Sequence, residues 1–335
     1  MRRLQRLRAR SSQTLPMTRV SVGCMPDPLN SPQHETRERV LTRRFVAVVT
    51  ITILIVSTLS VLGLWWTATS VRLDTAVVPM IAAAVMLLVG RAYCSRNQRI
   101  SETCFVMFWT VAVTNILNLP MFVVARLKLP FQDSQLVAFD QWLGLELPQV
   151  LALQQSYPTT FTFVASCYNL LLPLLVVAVT LPTFLGRGRG VREFFIALFV
   201  SGTIGLILFY LFPAEGVHER YGVPPSASQA LFLETLYAVR SEQSYALDIS
   251  FRAGLVYFPS FHTILAILSV FALRQVPLLF APAAPVGALV VLSTVATANH
   301  YPCDTLVGVV IGVLSCLVAM KIEPLVSGPT SPSET

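Results

Sequence analysis

Two of the four histidines stand where apolar runs begin: His262 in Phe258-Pro259-Ser260-Phe261-His262-Thr263, and His300 in His300-Tyr301-Pro302-Cys303-Asp304. Strongly polar side chains at the ends of membrane helices are functional suspects by default. Asp304 follows His300 by four residues, so with Tyr301 as a helix cap it falls in the first turn, within reach of one imidazole nitrogen. Such a bond fixes the tautomer and raises basicity at the other nitrogen. An imidazole held this way can attack phosphorus. His262 is then the separate proton donor to the leaving oxygen, a step typically worth about 10² to 10⁴ in rate.

What must position these groups follows from composition. Hydrophobic residues make up 54% of the chain and charged residues 12%, and the apolar residues come in runs of about 20, enough to cross a bilayer. No sustained period-two alternation appears, so the runs read as helices rather than barrel strands. The expected fold is an all-α, polytopic transmembrane helical bundle of about eight spans. These run from Phe45 to Trp66, Thr75 to Arg91, Cys104 to Val124, Thr159 to Leu185, Phe194 to Phe212, Pro259 to Leu273, Leu278 to Ala298 and Pro302 to Met320. The sixth is short for a crossing; thickening by Pro277 to Phe280 or a thinned bilayer would accommodate it.

Arginine and lysine set the orientation. The N-terminal tail is arginine-rich, and with that tail cytoplasmic an eight-span count brings Arg91, Arg96, Arg99, Arg187, Arg189, Arg192, Arg274 and Lys321 to the same side. Both termini are therefore expected in the cytoplasm of a bacterial inner membrane protein. His262 opens span six and His300 opens span eight, with one span between them, so both helix starts emerge on one face, the extracytoplasmic one. Pro259 and Pro302 suit first helical turns, where the missing N–H is not needed. Two adjacent helix N-termini, with the Ser260 and Thr263 hydroxyls, form a receptacle for a phosphate at headgroup depth.

Two outer segments are too long for turns. Between spans three and four, Phe131, Leu136, Phe139, Trp142 and Leu143 recur among Asp133, Asp140 and Gln141 at near-helical spacing, as in an interfacial amphipathic helix. Between spans five and six, Ser226-x-x-Gln229 reads as a capping box for a helix with Phe232, Leu236 and Val239 on one face. Either helix would cover a lipid headgroup or simply seal the outer end of the bundle.

The net charge of +7 is carried mostly by topology signals and tail, which points to a bilayer surface as partner and away from nucleic acid. Residues 1–43 read as a disordered basic tail without the apolar region of a signal peptide, residues 44–325 as the membrane domain with its motif-bearing core over about 190–322, and residues 326–335 as a polar tail. The six cysteines contain no Cys-x-x-Cys pair and offer neither a disulfide framework nor a zinc site. Cys303 reads as a small apolar filler.

Phe-Pro-Ser-Phe-His-Thr followed 38 residues later by His-Tyr-x-x-Asp-x-x-x-Gly resembles the type-2 phosphatidic acid phosphatase superfamily, and within it the inositolphosphorylceramide synthase-like branch. Phe212-Pro213-Ala214 and Asp140-x-x-Leu143-Gly144 are also similar, and the resemblance covers roughly residues 100 to 320. It implies transfer through a phosphohistidine with no metal or cofactor, His300 being the nucleophile, Asp304 its partner and His262 the acid and base. The departures from the family pattern concern the phosphate. The Lys-x6-Arg-Pro motif is absent, Ser293 is followed by Thr294 where the family has Arg, and Phe261 stands in the place of a Gly. A phosphate dianion still needs a cation, and Arg240, then Arg220 and Arg252, are the replacements in the long outer loop.

These residues point to an integral membrane phosphatase or phosphotransferase acting on a phospholipid or isoprenyl phosphate or pyrophosphate. Water as acceptor makes it a hydrolase; an inositol-like or lipid hydroxyl makes it a transferase. Two other classes stand beside it: a two-histidine, one-carboxylate metal site, and a non-catalytic lipid-binding or transport bundle. The latter would carry broken helices at the bilayer midplane rather than polar groups at span ends.

Overall fold

The computed structural model describes residues 39–72, 77–241, 244–248 and 255–327. Most of both expected tails, and Arg252, lie outside the described residues. The chain runs α1 (Arg43–Trp66), β1 (Thr69–Arg72), α2 (Val77–Ala92), α3 (Gln98–Arg126), α4 (Asp133–Trp142), α5 (Leu147–Ser156), α6 (Pro158–Ser166), α7 (Leu171–Phe184), α8 (Gly188–Leu211), α9 (Val217–Tyr221), α10 (Ala227–Ser241), β2 (Tyr245–Asp248), α11 (Phe261–Leu273), α12 (Pro277–Ala296) and α13 (Pro302–Ser327). It is an all-α membrane bundle. Among the described residues six helical stretches are long and apolar enough to cross a bilayer, α6 and α7 counting as one, and α11 and most of α2 are shorter apolar helices.

Lipid-facing surface is plain on α1, where Ile51, Leu54, Leu59 and Leu62 are exposed. Trp65 and Trp66 at its far end and Trp142 on α4 are exposed too, as aromatic side chains at a membrane interface are. The segment between spans three and four contains two helices, α4 and α5, where one was expected. In α10 the capping box forms, the Ser226 N–H donating to Gln229 Oε1 at 2.6 Å. The short strands β1 and β2 pair in parallel, Thr69 opposite Tyr245 and Arg72 opposite Asp248, an element the sequence reading did not anticipate. Arg126 reinforces this junction, donating from Nε and Nη2 to the Thr67 carbonyl at 3.2 and 2.9 Å and from Nη1 to that of Val239 at 2.9 Å.

The shortness of α11 has a packing explanation. Its 13 residues rise only about 20 Å, against a hydrocarbon core of about 30 Å. It meets α7, α8, α12 and α13, and Ile264, Ala266, Leu268 and Ser269 are fully buried, so protein rather than lipid surrounds it. No thickening by Pro277 to Phe280 occurs, because Pro277 opens α12. Close approach to α13 depends on Gly308, where an added Cβ would sit 2.8 Å from the Ser260 carbonyl oxygen.

The bundle is tied at the end remote from the histidines. Arg192 Nε lies 2.7 Å from Glu323 Oε1, Arg189 Nε lies 3.0 Å from Glu193 Oε1, and Arg274 pairs with Glu193 Oε2. Glu193, Arg192 and Glu323 are all buried. Removing one partner of such a network leaves a buried charge uncompensated, so it locks α8, α13 and the end of α11 together. Cys104, Cys167, Cys303 and Cys316 are free, whereas Cys94 is disulfide-bonded, a departure from the cysteine reading above.

Candidate active site

His262 and His300 sit at the same end of the bundle because α12 runs back between the helices they precede. Ser260 caps α11, its Oγ accepting from the Thr263 N–H at 3.4 Å and from the Thr263 hydroxyl at 3.1 Å. Pro259 thus precedes the cap instead of lying in the first turn, and the cap is the reason: a residue with an acceptor oxygen takes that position. Pro302 does open α13. Both Ser260 and Thr263 are fully buried.

Asp304, the third residue of α13, turns back and accepts the Tyr301 N–H on Oδ2 at 3.0 Å. The same oxygen lies 3.4 Å from His300 Nδ1. The contact falls short of hydrogen-bond geometry, and Nδ1 has no other partner. Catalytic hydrogen bonds are often long in a ligand-free site and tighten when substrate arrives. His300 is only 8% exposed. Burial pushes its imidazole down to about 4, so the ring is neutral at pH 7 and keeps a lone pair. The Tyr257 ring packs 5.2 Å from it.

His262 is held differently. Its Nε2 lies 3.0 Å from the Tyr168 carbonyl oxygen, and its ring stacks on the Tyr168 ring at 3.8 Å between centroids with 10° between planes. Tyr168 sits in a 3-10 turn, Cys167–Leu170, that interrupts the span between α6 and α7. Pro173 accounts for the interruption: in a continuous α-helix its ring would strike the Asn169 carbonyl. The amide group of Asn299, the residue before His300, faces the Tyr168 hydroxyl oxygen as a donor. One tyrosine thereby touches both histidine segments.

A third support comes from the interfacial helix. Asp133 accepts the Glu215 and Gly216 N–H groups at 3.0 and 2.8 Å and the Tyr301 hydroxyl at 2.9 Å. One turn pair further along α4, Asp140 Oδ1 accepts the Cys303 N–H at 2.6 Å while its Oδ2 has no partner. Burial pushes the Asp140 carboxyl up to about 6. The Phe212-Pro213-Ala214 segment joins through Val217, whose N–H donates to the Tyr257 hydroxyl at 2.9 Å. Burial raises the Tyr257 and Tyr301 hydroxyls far above their ordinary range.

The residues suggested for the phosphate are dispersed. Arg240 Nη2 donates to the Leu129 carbonyl at 2.6 Å and its guanidinium lies 4.0 Å over the Phe131 ring. Desolvation lowers its affinity for the proton. Arg220 is exposed on α9. Thr294, in the place of the family's arginine, donates to Val291 and shares a 2.8 Å hydrogen bond with Thr305, joining α12 to α13. Among the described residues no group of three or more His, Cys, Asp or Glu is arranged to hold a metal ion.

Tyr168, Tyr257 and Asn299 were not singled out from the sequence, and Asp133 figured there only as a polar position in an amphipathic pattern. For Tyr168 a signal existed: a Tyr-Asn pair and a proline inside an otherwise apolar run. No curated protein and no solved structure matches the chain. The sequence profile of the PAP2 superfamily matches residues 134–318, more than half of the chain, from the second residue of α4 to the body of α13. With both histidine segments, the carboxylate and the helix that braces them inside that match, the chain belongs to the PAP2 superfamily and has its membrane phosphatase-type function.

Proposed function

We propose that the protein transfers phosphoryl groups from a lipid phosphate or lipid pyrophosphate through a phosphohistidine on His300. The observation that carries this reading is the contact of His300 Nδ1 with Asp304 Oδ2 at 3.4 Å, in a buried ring that is neutral at physiological pH. With Nδ1 turned to a carboxylate, Nε2 is the atom that attacks phosphorus. The bond to the leaving oxygen breaks, and His262 gives that oxygen a proton. Water then attacks the phosphohistidine with His262 as base, which regenerates both rings. No metal or cofactor enters.

Phosphate oxygens would be received at the starts of α11 and α13, where Ser260 and Thr263 lie. The cation is proposed among Arg220, Arg252 and Arg240, with Arg240 placed last because its guanidinium already serves Leu129 and Phe131. We assign the membrane domain to residues 44–325, between cytoplasmic tails 1–43 and 326–335 in a bacterial inner membrane. The basic helix ends opposite the histidines support an extracytoplasmic site. Within the superfamily the inositolphosphorylceramide synthase-like branch is the one we propose, on the strength of Phe-Pro-Ser-x-His paired with His-Tyr-x-x-Asp. In a transferase of that branch a lipid or inositol hydroxyl takes the place of water in the second step, with His262 removing its proton in the same way.

The test is phosphate release from phosphatidic acid and from an isoprenyl pyrophosphate in detergent micelles, with and without an alcohol acceptor. His300→Ala and His262→Ala are expected to abolish it. Undiminished release by either variant overturns the reading.

A further inference from the structure

A carbonyl oxygen only accepts hydrogen bonds. Since His262 Nε2 lies 3.0 Å from the Tyr168 carbonyl, Nε2 carries the proton of the neutral ring and the lone pair is on Nδ1. The carbonyl also accepts the Leu171 N–H, the i→i+3 bond of the 3-10 turn, and its second lone pair takes the bond from His262. Face-to-face stacking at 3.8 Å then stops the imidazole from turning over. The Asn299 amide group faces the Tyr168 hydroxyl oxygen as a donor, which links that clamp to the segment carrying His300.

We propose that Tyr168, from a span outside both histidine motifs, is the positioning residue that makes Nδ1 the proton-transferring atom of His262. The inference rests on the phosphoryl-transfer reading above. In the first step the Nδ1 lone pair takes the acidic proton of the phosphate monoanion, the His300 Nε2 lone pair forms the P–N bond, the P–O bond breaks toward the leaving oxygen, and that oxygen takes the proton now on Nδ1. In the second, Nδ1 takes a proton from the attacking water, whose oxygen forms the new P–O bond as the P–N bond breaks. Throughout, Nε2–H stays on the Tyr168 carbonyl.

A displaced acid matters for a poor leaving group and hardly at all for a good one, so the readout is the leaving-group dependence of phosphoenzyme formation in a single turnover. The probes are a long-chain alkyl phosphate, whose alkoxide needs a proton, and p-nitrophenyl phosphate, whose phenolate does not. Tyr168→Leu is expected to lower the alkyl-to-aryl rate ratio by about 10²-fold, the lower range for losing an acid. Tyr168→Phe, which keeps ring and carbonyl, should restore most of it. A ratio unchanged in Tyr168→Leu, as for a residue that merely stabilises the fold, overturns the proposal. Should Tyr168→Leu not fold, Tyr168→Met removes the flat face while keeping bulk and carries the same expectation. His262→Ala separates the two levels: if it leaves the wild-type rate and ratio, the phosphoryl-transfer reading itself fails, and not only the part given to Tyr168.

Discussion

The Tyr301 hydroxyl donates to Asp133 Oδ1 at 2.9 Å, joining the residue beside His300 to a helix 168 positions earlier in the chain. The same carboxylate receives the Glu215 and Gly216 N–H groups. Asp133→Ala strands all three donors, and each buried donor left unmade costs about 1–3 kcal/mol, less where water can reach it. We expect a loss of about 2–4 kcal/mol in detergent unfolding. Asp133→Asn, which keeps an acceptor oxygen, should lose less.

Gly216 has φ 105°, and a Cβ there would meet the Tyr257 ring at 2.1 Å. Gly216→Ala therefore combines a left-handed backbone with displacement of the ring that packs on His300. At least a tenfold fall in kcat with a lowered melting temperature is expected. Activity close to wild type would show that Tyr257 does not hold His300 in place.

Asp140 gives a pH prediction with a definite sign. Its carboxyl is raised from 3.8 to about 6 in the fold. Between those values the folded protein holds a proton that the unfolded chain has lost, so stability from this group falls as pH rises from about 4 to 6. Asp140→Asn removes that slope. Thermal unfolding of the two proteins across the interval should diverge, with the variant gaining relative to wild type toward pH 6.

His300 titrates in the opposite sense. Its ring is held down to about 4, so the nucleophilic lone pair survives well below the ordinary histidine range of 6.5. The acid limb of kcat/KM due to this group is expected near pH 4. In Asp304→Asn the carboxylate facing Nδ1 is lost, and kcat should fall by about 10² or more by analogy with other orienting carboxylates. A variant with wild-type kcat would remove Asp304 from the mechanism.

Much of this site was legible because its signals are local. An apolar run, a proline at a helix start and a carboxylate one turn from a histidine are all read within a few residues, and His262, His300 and Asp304 come out of them. The capping box at Ser226 and Gln229 is of the same kind. What escaped depends on contacts between distant segments. Asp133 to Tyr301 and Tyr168 to His262 span 168 and 94 positions, which no periodicity encodes. The 13-residue α11 looked too short for a span because length alone does not say whether a helix faces lipid or protein. Arg240 had the right charge and loop, but its geometry directs it to Leu129 and Phe131.

The phosphohistidine on His300 is the central claim, and trapping it is the most direct measurement. Purified protein is given a lipid phosphate labelled on phosphorus, quenched in alkali within the first turnover, and assayed for protein-bound label that is stable to base and released by acid, as a P–N bond is. The account predicts such label in the wild type, its absence from His300→Ala, and its accumulation when His262→Ala is supplied with p-nitrophenyl phosphate. Equal label in His300→Ala, or lipid phosphate turnover by that variant at the wild-type rate, would contradict it.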